Sequence, residues 1–176
     1  MNKEKTIKAI KELLEALDLE SHGEEVHQNT PSRVAEALEE LTNYPKPELV
    51  TFDMDYSDWI KVDGIKFYAL CEHHLLPFFG EATVIIKPRG KILGVSKIAR
   101  LVKYHASRNG LQERITKKVV EELNEVLEPD LVLVKLKATH LCMSSRGVKA
   151  EGSTFETIAW RGKKELLKEA LSLSTL

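Results

Sequence analysis

With 176 residues, 43% of them hydrophobic and 30% charged, the chain is long enough for one domain with a real core plus an appended helical segment. Against 26 Lys and Arg stand 27 Asp and Glu, a formal net charge of -1 that argues against a nucleic-acid partner and leaves any anion site to local charge. The 6% aromatic content gives no broad base-stacking platform, no run approaches the roughly 18 apolar residues of a membrane span, and Met1 to Lys5 leads straight into charged helical sequence, so no membrane association and a cytoplasmic location are expected.

Ile7, Ile10, Leu13, Leu14 and Leu17 recur at spacings of three and four between Lys3 and Leu19, one apolar stripe of a packing helix. Ser21 to Gln28 is polar, contains Gly23 and reads as a loop leading to Thr30-Pro31, an N-cap followed by proline at the first helical position. Val34, Ala37, Leu38 and Leu41 then form the buried face of a second helix, which Tyr44-Pro45-Lys46-Pro47 ends. Strand-forming residues follow in Val50 to Asp55 and Trp59 to Leu70, with Ile60 and Val62 before an Asp63-Gly64 turn and Ile65 and Phe67 after it: a hairpin that delivers Cys71 at the end of its second strand. Gly80 to Pro88 contains the strand Ala82 to Ile86, Ile92 to Val95 is a short one, and Ser96 an N-cap for a helix with Ile98, Leu101 and Val102 inward. Ile115, Val119, Val120, Leu123 and Val126 place a longer helix over about Leu111 to Leu127, broken by Pro129-Asp130. Leu131 to Lys137 is a strand, Val148 to Trp160 reads as strand, turn and strand about Gly152, and Lys163 to Leu171 is a short amphipathic helix. The order is that of an α+β domain, an antiparallel sheet with helices packed on one face, preceded by an N-terminal helical segment.

The only two cysteines each sit within three residues of a histidine, in Cys71-Glu72-His73-His74 and in His140-Leu141-Cys142. The Cys71 to His74 spacing lets one turn offer a thiolate and an imidazole to the same ion, and Cys142 can complete the set from another segment. Three protein ligands leave a fourth position open, the arrangement of catalytic rather than structural zinc. His73 and His140 are then spare imidazoles suited to moving protons near neutral pH. Buried apolar thiols or a Cys71-Cys142 disulfide are the bland alternatives, although reduced thiols are the rule in the cytoplasm. His22, His27 and His105 stand apart from any thiol and read as ordinary core or surface residues.

Cys71-Glu72-His73-His74, Gly94 to Arg100, Gln112-Glu113-Arg114-Ile115-Thr116, and Ala138 to Met143 followed by Arg146-Gly147 together resemble GTP cyclohydrolase I, in the right order and with closely similar spacing from Thr30 to Trp160. The resemblance implies the tunnelling fold over residues 49–176 as the catalytic domain, after a helical segment over 1–48, with subunits closed into rings that stack as a homodecamer. It also implies zinc held by Cys71, His74 and Cys142, and proton transfers by His73 and His140. The activity implied is that of a hydrolase on cyclic amidines: opening of the guanine imidazole ring of GTP at C8, release of formate, rearrangement of the ribose and closure to 7,8-dihydroneopterin triphosphate. Glu113 is expected to accept two hydrogen bonds from guanine and Gln112 to contact it by its amide or backbone; Ser96, Lys97, Arg100 and Arg146 are expected at the triphosphate, and Glu72 beside the ligands or at the ribose. The chain departs from the family's common form at Met143 to Arg146, which is more polar, at Gly110, where a bulkier residue is usual, and in a Ser/Thr segment thinned to Ser153, Thr154 and Thr157. Two other readings are a non-catalytic ring assembly pinned by zinc or a disulfide, and a tunnelling-fold nitrile reductase acting on a deazaguanine.

Overall fold

The computed structural model describes residues 1–17 and 23–175, so Leu19, Ser21 and His22 lie outside the described residues. Its contacts cluster into two compact units, Met1–Asn43 and Tyr44–Leu176. In the first, α1 (Lys3–Ala16) is capped by Asn2, whose side chain accepts from the Lys5 N–H at 3.0 Å, and a Lys3–Glu36 ion pair ties it to α2 (Glu24–Thr42). Ile10 is buried, whereas Leu13 and Leu17 of the expected stripe are exposed. The second helix begins six residues before the expected Thr30 cap, so Pro31 lies inside it. Acidic Glu24 and Glu25 favour the earlier start by meeting the positive end of the helix dipole, and Asn29 Nδ2 donates to the Glu25 carbonyl ahead of the proline. The buried positions are Pro31 and Ala35; Ala37 is exposed.

The second unit carries a four-stranded antiparallel sheet in the order β2-β3-β5-β6 (Ile60–Leu70, Pro77–Lys87, Leu131–His140, Phe155–Gly162). A two-stranded ladder joins β1 (Thr51–Asp53) to β4 (Lys91–Leu93). Two amphipathic helices, α3 (Val95–Arg108) and α4 (Gln112–Leu127), cover one face of the large sheet. Phe67, Phe78, Val84, Val132, Val134 and Leu136 from the strands meet Ile98, Leu101, Ile115, Val119 and Leu123 from the helices in the main core. At one corner of the opposite face Ile85, Leu131 and Leu133 pack on Ala170 of α6 (Leu167–Leu173), which follows a 3₁₀ turn over Lys164–Leu166.

Asp63-Gly64 is not a hairpin turn. β2 runs through it as one strand, and the pairing with β3 shifts between Val62 and Ile65, where one extra residue makes a bulge. The apolar pattern accounts for it. Ile60 and Val62 are even-numbered, Ile65, Phe67 and Ala69 odd, and only an inserted residue lets both sets face the same core. Gly64 takes φ +65°, and the Asp63 carboxylate accepts from the Gly64 N–H, from Thr83 Oγ1 at 2.6 Å and from Lys61, which holds its pKa down at about 2. Two further expectations are corrected. The cap of α3 is Gly94, with Ser96 already inside the helix, and Val148 to Thr154 is loop, leaving β6 as the single strand of that region.

Candidate metal centre and active site

The two thiol segments converge because β2, β3 and β5 are neighbours and the relevant turns fall at the same end. Leu70 pairs with Pro77 and Phe78 with His140. Between β2 and β3 the chain reverses within Cys71 to Leu76: the Cys71 carbonyl accepts from the Leu75 N–H at 2.8 Å, the Cys71 N–H donates to the Leu76 carbonyl at 2.9 Å, and Leu75 adopts φ +53° to close the turn. Beyond β5 a single helical turn, α5 (Leu141–Ser144), presents Cys142.

The donor atoms of Cys71, His74 and Cys142 all lie within 4.8 Å of one another, with Cys71 Sγ 3.9 Å from His74 Nδ1. Zinc–sulfur and zinc–nitrogen bonds of about 2.3 and 2.0 Å put tetrahedral donors roughly 3.5–3.8 Å apart, so this set needs only slight closure to fit an ion. Both cysteines are free thiols. Burial, and then the neighbouring Cys71 sulfur, push the Cys142 thiol above its ordinary pKa, while Arg146 pulls it down. A bound cation would relieve the burial and the neighbouring sulfur that keep Cys142 from ionising. Cys71 is buried and His74 exposed, which leaves the cluster open on the histidine side.

His140 is held by three neighbours. Its ring lies parallel on Phe78 at 4.4 Å between centroids, meets Phe155 edge-on at 5.7 Å, and its Nε2 lies 2.8 Å from Gln112 Oε1. Burial lowers its pKa from the ordinary histidine value and the charge of Glu113, in the first turn of α4, opposes that shift. His73 is exposed, its ring 6.3 Å from that of His74. The Glu72 carboxylate is taken by Arg114 through bonds of 2.8 and 3.4 Å, and the Glu72 N–H donates to the Gly110 carbonyl.

One chain does not bring every expected site residue together. Cys71, His73, His74, Glu72, Glu113, Gln112, His140, Cys142 and Arg146 share the Leu70–Pro77 end of the sheet. Ser96 and Lys97 begin α3 at the other end, beside a small cavity lined by Val95, Ile98, Ile60 and Ile86. That helix returns to the metal turn only near Gly110, and from Lys97 to Arg108 it advances roughly 16 Å at about 1.5 Å per residue, with Arg100 nearer by one turn. Arg114 and the side chain of Gln112 are the neighbours that sequence reasoning did not assign these tasks. Their motif, Gln112-Glu113-Arg114, was visible, but their partners come from segments distant in sequence.

An antiparallel sheet backed by two helices, with a cluster of two thiols and an imidazole at one end, defines a tunnelling-fold protein with a candidate metal centre. A solved structure of the archaeosine synthase QueF-Like in its apo form has the same fold, with a TM-score of 0.51 over 62% of this chain and 98% of that one at 19% identity. The family model of GTP cyclohydrolase I matches residues 6–172. GTP cyclohydrolase 1 of Hyperthermus butylicus is 42% identical over 166 residues, covering 94% of this chain and 85% of the relative. That of Clostridioides difficile is 42% identical over 187 residues, covering 100% and 98%. The chain belongs to the GTP cyclohydrolase I family.

Proposed function

We propose that the chain converts GTP to 7,8-dihydroneopterin triphosphate with release of formate, on a site in which Cys71, His74 and Cys142 hold zinc. The observation that carries this is the convergence of those three donors beside His140, in a chain of this family. A zinc ion bound there supplies Lewis acidity and lowers the pKa of a water molecule from about 16 toward about 7. His140, as the imidazolium, protonates guanine N7, which makes C8 more electrophilic, and is left neutral until it takes up a proton again. His73, exposed beside the turn, exchanges protons with solvent as the ring opens and the formyl group is cleaved. Glu113, in the first turn of α4 and within electrostatic reach of His140, accepts from guanine N1–H and the 2-amino group, a pairing adenine cannot offer. Arg146 meets phosphate oxygens, and Arg114 ties the Glu72 carboxylate, and with it the ligand turn, to the start of α4.

The position of Ser96, Lys97 and Arg100 on α3 supports a site completed by a second copy, whose α3 start brings phosphate-binding charge to the metal end of the first. Among the described residues the outer strands β2 and β6 have one unpaired edge each, and joining them between copies closes a ring, of which the homodecamer is two. Among the described residues, too, no helix is long and apolar enough to cross a membrane, and we take the cytoplasm, where both thiols stay reduced, as the place of action.

Formate release from GTP and metal content, measured on one preparation, test the reading: zinc-loaded protein that yields neither formate nor an oxidisable fluorescent pterin overturns it. Cys142→Ala should lose zinc and turnover together. His140→Ala should keep its zinc and lose turnover by about 10²–10⁴-fold, the usual worth of a general acid. Equal metal loss in both variants would make His140 a ligand instead.

A further inference from the structure

Gln112, the first residue of α4, is wholly buried, and all of its side chain is spoken for. Its Nε2 faces the Leu136 carbonyl at 3.1 Å, the Phe155 carbonyl at 3.0 Å and Thr157 Oγ1 at 3.2 Å. Carbonyls only accept, so the amide nitrogen must point at them and Oε1 must point the other way, toward His140 Nε2 at 2.8 Å. The orientation of this amide is therefore forced by β5 and β6.

Amide oxygen cannot donate. A hydrogen bond at that distance requires the proton on Nε2 of His140, which leaves Nδ1 as the nitrogen with the exchangeable lone pair in the neutral ring. Flipping the ring about its long axis would exchange nitrogens for carbons and lose the bond, and the parallel stack on Phe78 resists any tilt. The hydroxyls around the amide make a one-way chain. Thr116 Oγ1 donates to the Gln112 backbone carbonyl at 2.8 Å, so Thr157 donates to Thr116 at 2.6 Å and is left to accept from Gln112 Nε2, whose two hydrogens it shares with the Leu136 and Phe155 carbonyls. Every donor in the set has an acceptor, the condition under which a buried polar network fixes a geometry rather than loosening it.

We propose that Gln112 is a positioning residue that fixes His140 as its Nε2–H tautomer and so presents Nδ1 to the substrate, with Thr157 and Thr116 bracing it from β6 and α4. This rests on the functional reading above, and it removes the Gln112 side chain from guanine recognition, leaving Glu113 to discriminate the base.

Steady-state formate release is measured for Gln112→Met and Thr157→Val, each alone and combined with His140→Ala, at enzyme concentrations that bring the slow double variants into range. Gln112→Met keeps the side-chain volume and removes the acceptor. It should lower kcat about 10–100-fold, as loss of an orienting partner does, with KM within about twofold and zinc content unchanged. Thr157→Val should lower kcat severalfold. In the His140→Ala background neither change should cost anything more, because a residue that acts only through His140 has nothing left to act on. Equal loss in both backgrounds, or a raised KM at unchanged kcat, overturns the proposal; the first outcome means general support of the fold and the second a guanine contact. If Gln112→Met fails to fold, the Thr157→Val cycle decides alone, with no loss in either background also counting against the proposal. Absence of formate from the unmodified zinc-loaded protein would instead sink the functional reading.

Discussion

Glu72 and Gly110 illustrate how closely the metal turn is fitted to single residues. A methyl group at Gly110 would stand 2.5 Å from Glu72 Cβ and 2.8 Å from its backbone nitrogen, so the ligand turn itself would have to move. Gly110→Ala should therefore weaken zinc affinity by about 10-fold, the scale on which residues that orient metal ligands act. Its melting temperature should stay within a few degrees of the parent, since the main core of α3, α4 and the sheet is untouched. Titration with a competing chelator, set beside a thermal melt, checks both halves; a large drop in melting temperature with normal zinc affinity would mean that the turn has no such tight register. The grouping of Cys71, His74 and Cys142 was legible because Cys and His are scarce and carry their chemistry wherever they stand. Arg114 on Glu72 and Gln112 on His140 were not, because an ion pair across 42 positions and an amide across 28 exist only once the fold is closed.

At the scale of elements, the alternation on both sides of Asp63-Gly64 was legible in the apolar pattern, but what joins the two runs was not. A bulge and a two-residue turn share a glycine at positive φ and an aspartate that bonds the next N–H; only the partner strand separates them. The same holds for Pro31, whose fit to a first helical position was real but yielded to an earlier acidic start. The bulge is also where acid should act. The Asp63 carboxyl titrates at about 2 in the fold against about 3.9 in an unfolded chain, so its contribution is full above about pH 4 and disappears as pH falls through about 2. Asp63→Asn should cost roughly 0.5–1 kcal/mol at pH 7, toward the low end because the side chain is 52% exposed. Denaturant melts of both proteins should converge below about pH 2, and a gap that persists there would mean that packing, not charge, sets the contribution.

For the whole molecule the decisive fact is that α3 starts at one end of the sheet and the metal cluster sits at the other. On the proposed reading, a triphosphate whose guanine lies against Glu113 and His140 would meet Arg146 from the same chain, and Lys97 and Arg100 from a different one. Co-expression gives this a direct reading. Cys142→Ala removes metal binding from one parent, and the Lys97→Ala, Arg100→Ala double change removes phosphate charge from the other, so each alone should be nearly inactive. If metal and phosphate groups at each site come from different copies, random mixing of equal amounts leaves about one site in four with both intact. The mixture should then recover about a quarter of parental activity, measured as formate released per subunit. If one chain supplied both sets, every site in the mixture would still lack one of them and activity would stay at the level of the single parents. The same mixture run at native size separates the two sources of failure: parents that co-assemble without recovering activity speak against shared sites.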